Sequence, residues 1–126
     1  MGTRADFYVG RGLTAEWIGS QEYDGFTNSL PRELKVATTE AAFRAAVERH
    51  SADRDDWIPV SRGWPWPWKT SRTTDYAVAF DNGVVYGSTF GREWYIVADG
   101  EPPMLGPKTA VFPVMLPAKP GFRSIL

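Results

Sequence analysis

The side chains in this chain that could do chemistry begin with its sole histidine. His50 is followed by Ser51 and Asp53, then by Asp55 and Asp56. Any triad or zinc site must use His50, because the chain has one histidine and no cysteine. His50 and Asp53 supply only two ligands, and no partner motif stands elsewhere. The run from Asp53 to Asp56 also lacks the central Gly and closing Glu of a calcium loop. The expectation here is a capped helix end followed by a solvated acidic turn, with no metal and no cofactor. The least implausible enzyme would pair His50 with Asp53.

Three further patterns resemble chemistry and lack its context. Gly10-x-Gly12-x-x-Ala15 has the spacing of a dinucleotide fingerprint, which works only when a helix N-terminus follows inside a βαβ unit. Trp17-Ile18-Gly19 is poor helix material, so a turn is expected at Gly10–Gly12. Gly87-Ser88-Thr89-Phe90-Gly91 mimics a nucleophile elbow, but the one histidine precedes it and no helix is expected after it. Asp75 and Asp81 are a carboxylate pair placed at opposite ends of one expected strand, where they cannot share a cleft. No catalytic residue is assigned, and the chain reads as non-enzymatic.

The stretch Gly63-Trp64-Pro65-Trp66-Pro67-Trp68-Lys69 points to recognition instead. Trp and Arg are enriched at the energetic centres of interfaces. Trp64, Trp66 and Trp68, with Lys69 and Arg72, are therefore the first interaction candidates. The competing expectation is that two of the three indoles close the core between a helix and a sheet. After Asp99 the composition changes, and six of the ten prolines lie between Pro102 and Pro120. Val111-Phe112-Pro113-Val114-Met115-Leu116-Pro117 is apolar but cannot lie in a central strand, since each proline removes a ladder donor. Phe112, Met115 and Leu116 join the candidates, on an arm that packs back on the domain or reaches a partner.

These residues need elements to position them. Ala5–Val9 and Ala15–Gly19 read as a hairpin around Gly10–Gly12. Gln21–Pro31 reads as a surface connection, and Leu34 and Val36 as a short strand or the lead-in to a helix. Thr38 or Thr39 caps a helix running to about His50. Its Phe43, Ala46, Val47 and His50 share a face with Thr39, opposite Arg44, Ala45, Glu48 and Arg49. Asn82-Gly83 predicts a two-residue turn with Val78 opposite Gly87 and Ala79 opposite Tyr86. Trp94–Val97 reads as a third strand, completing a meander over 75–97. The predicted fold is α+β: a small antiparallel sheet from the N-terminal hairpin and this meander, with one principal helix at about 39–50 packed on it. Residues 1–100 read as one domain and 101–126 as a Pro-rich extended arm or edge strand.

The 126 residues suit one core, and the six Trp, five Tyr and seven Phe carry much of the burial. Fourteen Lys and Arg stand against 15 Asp and Glu, so the long-range attraction a polyphosphate requires is missing and nucleic acid is disfavoured as partner. With no signal-like N-terminus, no run of about 20 apolar residues and no cysteine, the chain reads as a cytoplasmic protein, neither secreted nor in a membrane.

The opening Met-Gly-Thr-Arg-Ala-Asp-Phe-Tyr-Val-Gly-Arg-Gly, Ala15-Glu16-Trp17, Ala37-Thr38-Thr39-Glu40, and Gly63-Trp64-Pro65-Trp66-Pro67-Trp68 leading to Ser71-Arg72-Thr73-Thr74-Asp75-Tyr76-Ala77 resemble an uncharacterised family of small bacteriophage and prophage proteins. The resemblance covers roughly residues 1–95, and the Pro-rich end departs from it. It implies a mobile-element context and no active-site role. The expected function is an accessory protein that binds a host or phage protein, as an inhibitor of a host defence or regulatory factor. The alternatives are a virion-associated structural protein, or an aromatic platform for carbohydrate or single-stranded nucleic acid using Lys69 and Arg72.

Overall fold

β-Branched and aromatic residues set the first two strands. In a computed structural model that describes residues 3–63 and 75–102, β1 is Ala5–Val9 and β2 is Glu16–Gln21. They pair antiparallel, as the hairpin pattern predicts. Gly10 takes φ 94 at the turn and donates its N–H to Phe80 O at 2.7 Å. The next element is a strand, so no helix N-terminus faces a phosphate there.

Two helices follow, α1 at Arg32–Lys35 and α2 at Glu40–Ala52. Leu34 lies on α1 and is buried. Thr39 is the cap of α2, its Oγ1 accepting from Ala42 N at 3.1 Å. Phe43, Ala46 and Val47 are buried on the predicted face. The sheet is completed by β3 at Trp57–Ile58, β4 at Tyr76–Asp81, β5 at Val84–Thr89 and β6 at Tyr95–Ile96. Asn82 and Gly83 take φ 50 and 84, the left-handed pair of a two-residue hairpin turn. The ladder puts Val78 opposite Gly87 and Ala79 opposite Tyr86, the expected register. A Cβ on Gly87 would lie 3.0 Å from both Tyr95 and Val97, so the missing side chain makes room for them.

The fold is α+β, and among the described residues it holds one six-stranded sheet in the order β3-β2-β1-β4-β5-β6 with one main helix. The sheet is mixed, because the hairpin and the meander meet through β1 and β4, which run parallel. The chain between them includes α2, and a parallel neighbour requires such a crossover. The expected third strand shortens to β6, after which Val97–Asp99 forms a 3₁₀ turn.

α2 lies on the face carrying Phe7, Val78, Phe80 and Val85, with Phe43 stacked on Phe80 at 5.5 Å. The opposite face carries Tyr8, Trp17, Ala77 and Ala79, also buried. Buried polar groups on β1 and β2 are joined there. Arg4 Nε and Ser20 Oγ both donate to Asp6 Oδ1, at 2.9 and 2.6 Å, and Trp17 Nε1 donates to Ser20 Oγ at 3.0 Å. Among the described residues no helix is long and apolar enough to cross a membrane.

Candidate functional site

Trp64, Trp66, Trp68, Lys69, Arg72, Phe112, Met115 and Leu116 all lie outside the described residues. Asp75 and Pro102, which border their two segments, are described, and the sheet topology decides where they stand. Because β1 and β4 are parallel, their first residues lie side by side. Arg4 N donates to Asp75 Oδ2 at 3.0 Å, and Tyr76 N donates to Arg4 O at 3.0 Å. Phe90 N, just beyond β5, donates to Asp75 O at 3.1 Å.

The residue that precedes Pro102 comes to the same place. Tyr76 Oη donates to Glu101 Oε1 at 2.6 Å, and Thr89 Oγ1 to Glu101 Oε2 at 3.2 Å. Glu101 N donates to Asn28 Oδ1 at 3.0 Å. Thr27 Oγ1 and Tyr95 Oη share a hydrogen bond of 2.7 Å close by, and Phe26 meets Tyr76 edge-on at 5.8 Å. Burial pushes the Tyr76 phenol far above its ordinary value, and the hydrogen-bonded carboxylate of Glu101 pushes it further. Burial also raises Tyr95, against hydrogen bonds from Thr27 and Thr89 that lower it. Both phenols therefore stay protonated at neutral pH. With both oxygens of Glu101 accepting, the cluster works as a clamp that fastens one chain segment to another.

The structure gives the residues of the four chemistry-like patterns the following partners. His50 Nε2 lies 2.7 Å from Gln21 Oε1, and Gln21 Nε2 donates to Tyr23 O at 2.7 Å. Gln21 thus offers His50 an acceptor, which places the ring proton on Nε2. The imidazole packs against Phe7 and Trp57, with ring centroids 6.1 and 6.4 Å away. Its contact is with Gln21 and not with Asp53. Asp56 departs from the expected solvated turn: it is buried and accepts from Glu22 N at 3.1 Å, Tyr23 N at 2.8 Å and Arg54 Nε at 2.6 Å. Asp75 and Asp81 occupy opposite ends of β4, as expected, with Asp81 ion-paired to Arg11 at 3.0 Å. Thr89 ends β5, which is followed by a turn and β6. Among the described residues no three His, Asp or Glu are grouped to hold a metal ion.

No family model, no curated protein and no solved structure matches this chain. The site is therefore defined by its own geometry. Sequence reasoning missed the Tyr76–Glu101 clamp, since two residues 25 apart carry no spacing signal for a contact made across β5. It also missed a groove of about 520 Å³ between α2 and the β2–β3 side of the sheet, floored by Ile18, Val47 and Trp57. The only sequence hint of that groove was the helix-averse Trp17-Ile18-Gly19.

Proposed function

We propose that this chain is a small non-enzymatic accessory protein, of the phage or prophage type its motifs resemble, that binds another protein of host or phage origin. Inhibition of a host defence or regulatory factor is the form of this activity we favour. The observation that carries the proposal is the shared anchorage of the two candidate segments. Asp75, which follows Trp64–Thr74, and Glu101, which precedes the Pro-rich stretch, are tied into one cluster through Tyr76, at 2.6 Å from Glu101. Two aromatic and apolar segments whose bordering residues meet at one end of the sheet suit a single recognition surface, because fixing those borders in advance lowers the ordering cost of binding.

The test uses the intact protein, a version with Trp64, Trp66 and Trp68 replaced by Ala, and one with Phe112, Met115 and Leu116 replaced by Ala. Each is immobilised and exposed to bacterial lysate after circular dichroism has verified folding. Loss of the same captured protein by both variants is the expected result. Capture unchanged in both would overturn the shared surface. Binding that survives high salt would separate protein recognition from a stacking platform for single strands, whose affinity falls steeply as salt rises.

A further inference from the structure

The tip of the β4–β5 hairpin holds the chain's one Asn-Gly pair, Asn82-Gly83, and Asn82 is exposed. Such a pair carries a reaction of its own. The amide nitrogen of Gly83 attacks Cγ of the Asn82 side chain, the new C–N bond closes a five-membered succinimide, and the side-chain nitrogen leaves as ammonia with the proton from Gly83 N. Water then opens the ring at either carbonyl and leaves an aspartyl or an isoaspartyl residue. Glycine favours the step because no Cβ stands against the approach. Water is the sole co-reactant.

The folded turn forbids that step. φ 50 at Asn82 and φ 84 at Gly83 are the angles of a type I′ turn, which sets ψ of Asn82 at about 30°. A five-membered ring requires the Gly83 nitrogen to eclipse Cβ about the Cα–C bond, which an L-residue reaches at ψ of about −120°, so the turn holds the two roughly 150° apart. A rotation that large breaks the rung Asp81↔Val84 that closes the tip. One side chain braces the tip from outside the hairpin. Arg11, on the connection between β1 and β2, pairs with Asp81 of β4 at 3.0 Å and lies over the ring of Tyr86 of β5, 3.7 Å from its centroid. It thus ties both strands together next to the turn.

We propose that Asn82 is a deamidation site kept shut by its own turn, that the folded chain reacts there only when the hairpin tip opens, and that Arg11 sets how often it opens. The isoaspartyl product does not fit back, because it adds a methylene to a main chain that the two-residue turn has no room for. The aspartyl product adds a second carboxylate beside Asp81, within the reach of the same guanidinium. The reaction is therefore a one-way record of opening. It uses no residue of the clamp around Glu101 and stands without the recognition surface proposed above.

The experiment follows the amide-to-acid mass gain at position 82 by peptide mapping, in one mildly alkaline buffer, for the full chain, two variants and the blocked peptide Ala-Phe-Asp-Asn-Gly-Val-Val. The full chain is expected to react about tenfold or more slower than the peptide, because its rate tracks the fraction of open tips. Arg11→Ala should react roughly threefold faster than the parent chain, having lost both the ion pair and the ring contact. Loss of a cation by itself makes the Gly83 amide harder to ionise and slows the reaction, so a faster rate reads opening and not local charge. Tyr86→Leu, which keeps the ion pair and removes the ring under the guanidinium, should give a smaller rise of the same sign and covers the case in which Arg11→Ala fails to fold. Equal rates in the parent chain and the peptide would overturn the protected site. Rates in the folded variants at or below the parent's would overturn the brace.

Discussion

Phe90 takes φ 51 and Gly91 φ 72, in a turn closed by Arg92 N donating to Thr89 O at 3.0 Å. A left-handed conformation costs an L-residue about 1–2 kcal/mol, and a bulky aromatic has no polar side-chain bond to offset it. Phe90 is 43% exposed and bonds Asp75 through its amide, so local strain sits where the chain enters β4. Two variants separate backbone strain from the contribution of the ring. Phe90→Gly is expected to be more stable than Phe90→Ala by about 1 kcal/mol, because both lose the ring and only Ala keeps the strain. Urea denaturation of the pair measures the difference, and equal stabilities would place the cost elsewhere. His50 supplies a second residue-scale prediction. Burial lowers its pKa below 6.5, and Arg54 lowers it further, against opposing pulls from Asp56 and Asp53. The unfolded chain therefore binds the proton more readily than the folded one. The neutral ring's contribution is complete above about pH 6.5 and is lost as pH falls through that value toward the folded pKa. Urea midpoints at about pH 7.5 and about pH 5.5 should show stability falling on acidification, with a smaller fall in His50→Gln.

At the scale of elements, the parts legible in the sequence are those fixed by local chemistry. Asn82-Gly83 specified the β4–β5 turn and register, and Thr39 with the Phe43–Val47 face specified α2. The parallel β1–β4 pair was not legible, because both strands carry the same alternation whether their neighbour runs parallel or antiparallel, and the choice depends on a contact between residues 71 apart in the chain. The two-residue β3 gives too short a pattern to read, and the groove depends on a bulge that exists only once β1 and β2 are paired. An Asp-rich run has the pattern of an exposed turn, yet Asp56 is buried. Its partners, the amides of Glu22 and Tyr23, lie 34 and 33 residues away. Burial pushes its carboxyl up, but Arg54 and the Tyr23 amide outweigh burial and hold it below the usual value. Asp56 thus fastens the end of β2 to the connection between α2 and β3. Asp56→Ala would leave two amides and Arg54 without this acceptor, at an expected cost of roughly 2–3 kcal/mol by chemical denaturation. Gly83→Ala tests the hairpin in the same assay. The new Cβ would lie 3.6 Å from Thr38 O, an ordinary contact, so the expected loss of about 1 kcal/mol comes from φ 84 alone.

The whole molecule depends on the seam where its two local units join. β2 folds back on β1, and β5 on β4, through short connections, whereas β1 and β4 find each other across most of the described chain. A hairpin alone is marginal in water, so neither unit has reason to persist without the seam. Phe7 and Val78 are paired there, both fully buried, with Phe43 of α2 in the same core. Closing so long a loop is slow, because its entropy is lost before its contacts form. The resulting contacts also couple the two units. Val78→Ala should therefore lower stability by about 2 kcal/mol and destabilise the N-terminal hairpin as much as its own. Tryptophan labelled with ¹⁹F reads both sides of the seam at once, through Trp17 and Trp57 on one side and Trp94 on the other. In urea all three indoles should share one midpoint, in the native chain and in Val78→Ala alike, and that midpoint should match far-ultraviolet circular dichroism. A Trp94 transition displaced from those of Trp17 and Trp57 would show that hairpin and meander unfold as separate units, and the parallel seam would then lose its place as the cooperative centre of the fold.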